Sequence, residues 1–261
     1  MRAMDIASTG MQAQQLMVEV ISNNIANLNT TGFKAQRAEF QDLLYQNVRT
    51  PGEASSDAGT VVPVGVQIGI GVKAAAVYRM TLQGNLSQTG NPLDLAIQGK
   101  GFLQVQLPNG TTAYTRAGSL QLNNQRQVVT ADGYLVIPNI SIPAGTTTIT
   151  VDPSGQVQAQ VAGTVNPQTV GQLTLAVFPN EAGLLANGQN LLTETFASGA
   201  PIVENPGAND AGVIQQGFLE TSNVNVVNEI TNLITAQRAY EMNSKVIEAA
   251  DQMQQTLSNL H

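Results

Sequence analysis

Apolar residues recur at steps of three and four along the N-terminal part of this sequence. This spacing places side chains on one face of an α-helix and predicts a helix over residues 3–28. At about 1.5 Å per residue, that helix is about 39 Å long. Thr30-Thr31-Gly32 is predicted to end it, since glycine suits the left-handed conformation that follows many helices. The residues at these steps are Met4, Ala7, Met11, Gln14, Val18, Ile21, Ile25 and Leu28.

The same spacing returns at the C-terminal end and predicts a second long helix with near-heptad steps. Ser222 or Asn223 is the predicted N-cap, because short polar side chains accept hydrogen bonds from the first free backbone N–H groups of a helix. The residues at these steps are Val226, Ile230, Leu233, Ala236, Tyr240, Asn243, Ile247, Ala250, Met253, Leu257 and Leu260.

Between the two predicted helices, apolar and polar residues alternate, as in strands with one buried face. Turn signals separate the alternating runs at Asn109-Gly110, Asp132-Gly133 and Asp152-Pro153-Ser154-Gly155. Such pairs supply the positive φ angles that tight hairpins need. The middle of the chain is therefore predicted to be one β-rich domain.

Composition and charge exclude several functions. Of the 261 residues only 11% are charged, the net charge is −7, and no basic residue lies between Arg126 and Arg238. This argues against binding to nucleic acid or to an anionic membrane surface. No apolar run reaches the roughly 18 residues of a membrane span, and no secretory signal pattern is recognisable.

Catalytic and metal-binding chemistry has no clear candidate in the sequence. Cysteine is absent and His261 is the single histidine, which removes thiolate sites and histidine-based triads. Residues 69–74 match a dinucleotide-binding pattern, but their glycines alternate with valine and isoleucine, which favours a strand. The acidic residues are scattered. We expect no catalytic activity, no cofactor and no metal.

The two predicted helices have apolar seams with two possible partners. They either pair with each other in one chain or pack against copies from other subunits. Small residues such as Ala3, Ala7 and Gly10 allow close approach from several sides, which favours the second interpretation.

Three long stretches resemble one protein family. "SNNIANLNTTGFKAQRAEFQDLL" (22–44) and "LETSNVNVVNEITNLITAQRAYEMNSKVIEAADQM" (219–253) are similar to the N- and C-terminal signatures of bacterial flagellar axial proteins, which include rod and hook proteins. "TGNPLDLAIQGKGFLQV" (89–105) and "AYTRAGSL" (113–120) resemble the start of their β domain. Residues 45–72 resemble an insertion typical of the distal rod branch, and the chain is too short for the outer domain of hook proteins.

The resemblance implies an α+β fold in which long N- and C-terminal helices form a coiled coil, with one central β-rich domain and an extended arm. It implies a structural subunit of a hollow, straight distal rod, exported unfolded through the flagellar type III apparatus and folding on assembly. Implied partners are copies of itself, the proximal rod protein, the hook protein, the surrounding basal-body rings and the export apparatus. The implied location is the flagellar basal body, without membrane insertion or nucleic acid.

The expected assembly residues follow from the seams and the arm. Asn23, Asn24 and Asn27 cover neighbouring sides of one turn near the end of the first helix, and we interpret them as polar positions that fix helix register; a polar cap on a frayed helix end is the alternative. The arm is expected to be extended, because prolines and glycines forbid a continuous helix there. The expected interface residues are Met4, Met11, Val18, Ile21, Asn24, Ile25, Asn27, Leu28, Val226, Ile230, Leu233, Tyr240, Ile247 and Leu257, with Arg49, Pro51, Gly52 and Pro63 in the arm.

The predicted organisation has four parts: a helical assembly segment (1–44), the arm (45–72), the β-rich domain (73–218) and a second helical assembly segment (219–261). Three other functions stay open at this point. They are a proximal rod or hook relative of the same family, an extracellular fibre or adhesin protein, and an enzyme of unknown type.

Overall fold

The computed structural model describes residues 2–51, 64–164 and 166–258, and for residue 257 the backbone alone. The described chain divides into two compact units. Unit 1 comprises Met1–Ile25, Gln36–Tyr78 and Asn225–His261, and unit 2 comprises Ala26–Ala35 and Arg79–Val224. The predicted arm residues Gly52 and Pro63 lie outside the described residues.

Unit 1 holds the two helices and two pairs of strands. Its elements in chain order are α1 (Arg2–Ala26), β1 (Gln36–Asp42), β2 (Tyr45–Arg49), β3 (Val66–Gly69) and β4 (Val72–Arg79), and α2 (Val226–Ser258) completes it at the other end of the chain. Strand β1 pairs with β4, and β2 pairs with β3. The dinucleotide-like stretch 69–74 thus runs from the end of one strand into the next, as the strand interpretation predicted.

Unit 2 is built from short strands. They are β5 (Leu86–Gln88), β6 (Leu95–Gln98), β7 (Phe102–Gln106), β8 (Thr112–Thr115), β9 (Leu120–Leu122), β10 (Val128–Thr130), β11 (Leu135–Ile137), β12 (Thr146–Val151), β13 (Gln156–Val161), β14 (Gln168–Gln172), β15 (Leu175–Val177), β16 (Leu185–Gly188), β17 (Leu191–Thr193), β18 (Ile202–Glu204), β19 (Val213–Gln216) and β20 (Phe218–Glu220). A 3-10 turn, Glu181–Gly183, precedes β16.

The main sheet of unit 2 has the strand order β16-β17-β8-β7-β11-β10-β9, with β15 joining β7 to β18. Smaller sheets are β12-β13-β14, β6-β19 and β5-β20. The core lies on the inward faces of these strands, where Leu103, Val105 and Val136 are at most 1% exposed. A second cluster packs Tyr114 edge-on against Phe178 with ring centres 4.8 Å apart.

The three predicted turns are confirmed. Gly110, Gly133 and Gly155 have φ angles of 82°, 87° and 84°, which glycine adopts without strain. Each turn joins antiparallel neighbours, for example β7 to β8 and β12 to β13. Local chemistry therefore determines these hairpins.

The predicted coiled coil of the terminal helices is wrong. Both helices exist, but seam residues of α2 stay exposed, with Ile230 at 46% and Tyr240 at 45%. A coiled coil buries such positions of both helices along its length. The contacts between α1 and α2 include Gly10 against the Asn243 amide and a hydrogen bond from Asn24 to Glu229. Spacing predicts which residues share a helix face, but it does not determine what covers that face.

The N-cap of α2 also differs from prediction. Asn225 takes this position, and its Oδ1 accepts a hydrogen bond from the backbone N–H of Asn228 at 3.2 Å. Asn223 is engaged elsewhere, because its side chain binds backbone groups of unit 2.

Candidate assembly surfaces

The surface of α2 carries large apolar side chains that nothing in the described chain covers. This helix has 33 residues and, at about 1.5 Å per residue, is about 50 Å long. A helix that is apolar on several sides is normally surrounded by other elements. The exposed residues of this set, called the α2 apolar surface, are Val227, Ile230, Ile234, Tyr240, Met242, Val246 and Met253.

The other predicted interface residues differ in exposure. Ile21 is buried and Ile230 and Tyr240 are exposed. The side chain of Leu257 is outside the described residues, and the exposed arm residues Arg49 and Pro51 lie at the end of β2 and just after it. The half-buried members are Met4, Met11, Val18, Ile25, Asn27, Leu28, Val226, Leu233 and Ile247.

Asn24 is 1% exposed and forms hydrogen bonds within its own chain. Its Nδ2 donates to the Gln36 carbonyl and its Oδ1 accepts from the Gln36 N–H, both at 2.8 Å, as a neighbouring strand would. Nδ2 also donates to Glu229 Oε1 at 3.4 Å. One amide thus joins α1, β1 and α2. Burial raises the pKa of Glu229, while the hydrogen bond from Asn24 opposes this shift.

The β2–β3 ribbon has an exposed apolar face. Val48, Val66 and Ile68 are 59%, 49% and 38% exposed, and a bulge between Asn47 and Arg49 lies at this point of the ribbon. A two-stranded ribbon is at best marginally stable alone in water. This face is the second apolar surface of unit 1.

A buried ionic cluster in unit 2 was not predicted. Glu220, whose side chain is 1% exposed, accepts hydrogen bonds from Arg116 Nε at 2.8 Å and Lys34 Nζ at 2.6 Å. It also accepts from the Gly84 N–H at 2.8 Å. Burial lowers the pKa of Lys34, the neighbouring Arg116 lowers it further, and Glu220 opposes both.

The cluster joins three distant parts of the chain. Lys34 follows α1, Arg116 follows β8 and Glu220 precedes α2. All three residues lie within the stretches "TTGFK", "AYTRAGSL" and "LETSN" that carry the family resemblance. Those stretches were the only sequence signal for the cluster, because nothing local pairs residues 34, 116 and 220.

Asn223 forms a second connection in unit 2. Its Oδ1 accepts from the Ala35 N–H at 2.7 Å, and its Nδ2 donates to the carbonyls of Met80 and Leu82 at 3.0 and 2.9 Å. Met80 N–H in turn donates to the Ala35 carbonyl at 2.8 Å. Ala35, Met80 and Asn223 are therefore hydrogen-bonded to one another. Each of them lies close to a residue at which the chain passes from one unit to the other.

The described residues contain no group of three or more side chains arranged to hold a metal ion. In the same part of the chain, no helix is long and apolar enough to cross a membrane. What the described structure offers is a well-packed β unit, with uncovered apolar surfaces on the helical unit. This arrangement defines a class: subunits of a larger protein assembly.

Comparison with known proteins identifies the assembly. The family model described as "Flagella basal body rod protein" matches residues 4–34, "Flagellar hook protein FlgE/F/G D1 domain" matches 96–159, and "Flagellar basal body rod FlgEFG protein C-terminal" matches 215–260. The chain belongs to the flagellar basal-body rod protein family, in its distal rod branch. It is a structural subunit of the flagellar rod, located in the basal body, and its family is not an enzyme family.

Full-length relatives support this assignment. The flagellar basal-body rod protein FlgG of Caulobacter vibrioides is 60% identical, over 100% of this chain and 99% of that protein. The FlgG protein of Agrobacterium fabrum is 52% identical over 99% of this chain and 98% of its own length. That of Borreliella burgdorferi is 44% identical over 100% and 98%, respectively.

Proposed function

We propose that this chain polymerises with copies of itself into a hollow, straight distal rod and has no catalytic activity. The α2 apolar surface supports the proposal most directly, because seven large apolar side chains in water favour burial against a partner. Head-to-tail contacts between identical subunits generate open helical polymers when they do not close into rings.

The proposal assigns roles along the chain. Residues 1–44 and 219–261 join neighbouring copies through the predicted interface residues, the arm (45–72) packs on other copies, and residues 73–218 form the β-rich domain. The exposed apolar face of the β2–β3 ribbon supports the role of the arm. Further proposed partners are the proximal rod protein, the hook protein, the surrounding rings and the type III export apparatus, through which the chain passes unfolded.

Lysine substitutions on α2 test self-assembly. Ile230→Lys with Ile234→Lys places two charges on the α2 apolar surface. We expect these charges to oppose burial and to reduce strongly the number of rods in a strain that lacks its own copy of the protein. The matched control is Asn228→Lys with Asn232→Lys, two exposed positions on the opposite side of the same helix.

Rods are counted in purified basal bodies by electron microscopy, and the monomer is checked by circular dichroism. We expect the apolar-surface variant to remain helical and to form few rods, and the control to form many more. Normal rods from the Ile230/Ile234 variant would show that this surface does not join the copies.

A further inference from the structure

We propose that Phe196 of one copy inserts into a pocket in unit 2 of a neighbouring copy. The pocket, here called the β9–β12 pocket, is lined by Leu93, Leu122, Arg126, Ile142, Pro143 and Ile149, among others. This contact uses residues of the β-rich part of the chain and none of the α2 apolar surface. It rests on the proposed self-assembly and adds a specific contact to it.

Phe196 is fully exposed at the tip of a rigid turn. Thr195 N–H donates to Ser198 Oγ at 3.0 Å, and Ser198 Oγ donates back to the Thr195 carbonyl at 2.8 Å. Thr195 Oγ1 donates to the Gly183 carbonyl at 2.7 Å, and Asn180 Nδ2 donates to the Ala197 carbonyl at 2.9 Å. The turn is therefore fixed before any partner arrives. Rigid presentation of an aromatic side chain lowers the entropy cost of binding.

The β9–β12 pocket has the size and surface that such a side chain needs. Its volume is about 540 Å³, within the usual range of binding pockets. Leu122 is 37% exposed at its edge, while Ile142 is 4% exposed and belongs to the core of unit 2. The lining also includes polar residues such as Asn91 and Thr148, so an aromatic ring entering here replaces water against the apolar part of the wall.

The turn and the pocket lie toward opposite ends of the main sheet. Phe196 follows β17 and Leu122 ends β9, and the strand order puts five strand spacings between them. At about 4.8 Å per spacing this is roughly 24 Å, well beyond the reach of one side chain. A projection and a pocket on different parts of one surface make a head-to-tail contact, which extends without closing.

Charge complementarity points to a second copy as the occupant. Glu194 is exposed two residues before Phe196, and Arg126 is exposed at the pocket. Within the described residues, the ion pairs involve other side chains, so both charges are available. A docked Phe196 brings Glu194 toward Arg126, and the guanidinium also suits the face of an aromatic ring.

Engineered disulfides test the contact, because the natural sequence has no cysteine. The variant carries Ala197→Cys beside Phe196 and Thr147→Cys at the pocket, both at exposed positions. After mild oxidation of isolated basal bodies, we expect a ladder of covalently linked copies that reduction removes. The control pairs Ala197→Cys with Thr111→Cys, an exposed position near the β7–β8 turn, and is expected to give no ladder.

Substitutions test whether rod assembly requires the contact between Phe196 and the β9–β12 pocket. Phe196→Ser should leave the melting temperature of the monomer unchanged, because the side chain is fully exposed, and lower the number of rods about tenfold. Val203→Ser, at a residue 52% exposed on β18, is the matched control and should keep normal rods. Glu194→Arg should also reduce assembly, and adding Arg126→Glu should restore it.

The outcomes separate this contact from self-assembly as a whole. If the unmodified chain forms rods but Phe196→Ser does so equally well and no ladder forms, the contact is refuted and self-assembly stands. If the unmodified chain forms no rods, self-assembly fails and the contact fails with it. A disulfide from the Ala197→Cys thiol to a different basal-body protein, identified by mass spectrometry, would assign the turn to another partner and refute the contact between copies.

Discussion

At the residue scale, the buried Glu220 cluster is the main polar feature of unit 2. The Glu220 carboxylate accepts hydrogen bonds from two cationic side chains and one backbone N–H. These charged groups therefore have partners although the site is largely buried. Removing one member of such a cluster leaves charges buried without compensation, which costs far more than the loss of a surface ion pair. The cluster therefore stabilises the position of the segments that follow α1 and precede α2.

Glu220→Gln is expected to destabilise unit 2 strongly. The change leaves Arg116 and Lys34 buried without their counter-charge, at a cost of about 3–5 kcal/mol in the free energy of unfolding. Urea unfolding followed by circular dichroism measures it. Asp210→Asn is the control, since its ion pair with Lys100 is 4.0 Å long and both side chains are exposed, so we expect a change below about 1 kcal/mol. Equal stability of the two variants would contradict a structural role for the cluster.

Glu229 is expected to make the stability of the folded state depend on pH. Its pKa is raised by burial above the ordinary value of 4.5, so the folded state binds the proton more tightly than the unfolded state. Protonated Glu229 therefore contributes to the stability of the folded state below pH 4.5. This contribution is lost as the pH rises through the raised pKa. Glu229→Gln keeps an acceptor for Asn24 and removes this titration. We expect the variant to gain stability relative to the natural chain between about pH 4 and pH 7.

Unfolding midpoints at about pH 4 and pH 7 check this expectation. The control is Glu241→Gln, which removes the same charge from an exposed position of the same helix. If the difference in stability between Glu229→Gln and the natural chain does not change with pH, the predicted effect of Glu229 protonation on stability is refuted.

At the element scale, hydrogen bonds of the Asn223 side chain hold together the segments next to β1, β4 and α2. Its side-chain amide accepts one hydrogen bond from Ala35 and donates two to Met80 and Leu82, and so joins two other parts of the chain to the segment before α2. This use of the side chain also explains why Asn225, and not Asn223, is the N-cap of α2.

Asn223→Ala should cost about 1–3 kcal/mol of unfolding free energy, because three backbone groups lose their partner and two of these hydrogen bonds are partly buried. Asn223→Asp should also destabilise, since it keeps the acceptor for Ala35 but presents a carboxylate oxygen to the carbonyls of Met80 and Leu82. Asn228→Ala, at an exposed helix position, is the control. The measurement is the midpoint of urea unfolding for all three variants. Unchanged stability of Asn223→Ala would show that water replaces these hydrogen bonds.

At the scale of the whole molecule, the two units differ in their cores. Unit 2 buries large side chains such as Leu103, Leu175 and Ile214 at 1% exposure or less, whereas among the described side chains of α2 the buried ones are Ala236 and Ala250. Regions with few buried apolar contacts open at lower free energy than well-packed cores. Unit 1 should gain most of its stability from burial of its surfaces by other copies.

Hydrogen exchange measures this difference directly. In the monomer, we expect amides of α2 to exchange at least about tenfold faster than those of β7, because the helix is covered on fewer sides. In assembled rods, we expect α2 to become protected while β7 changes little. Equal protection of α2 and β7 in the monomer would mean that unit 1 is already stable without neighbours.

The sequence predicted those features that depend on neighbouring residues. The Asn109-Gly110 turn and both helices follow from local chemistry and spacing, and the structure confirms them. The coiled coil failed because the partner of an apolar face is not encoded in its spacing. Asn24 is predicted from the sequence to fix helix register, but its partners Gln36 and Glu229 are 12 and 205 residues away and only the fold brings them together.

The Asn223 connection has a mechanical consequence for a subunit of a rod. Ala35, Met80 and Asn223 belong to three separate backbone segments that are hydrogen-bonded to one another within unit 2. We therefore expect a pull on one of these segments to be shared with the other two.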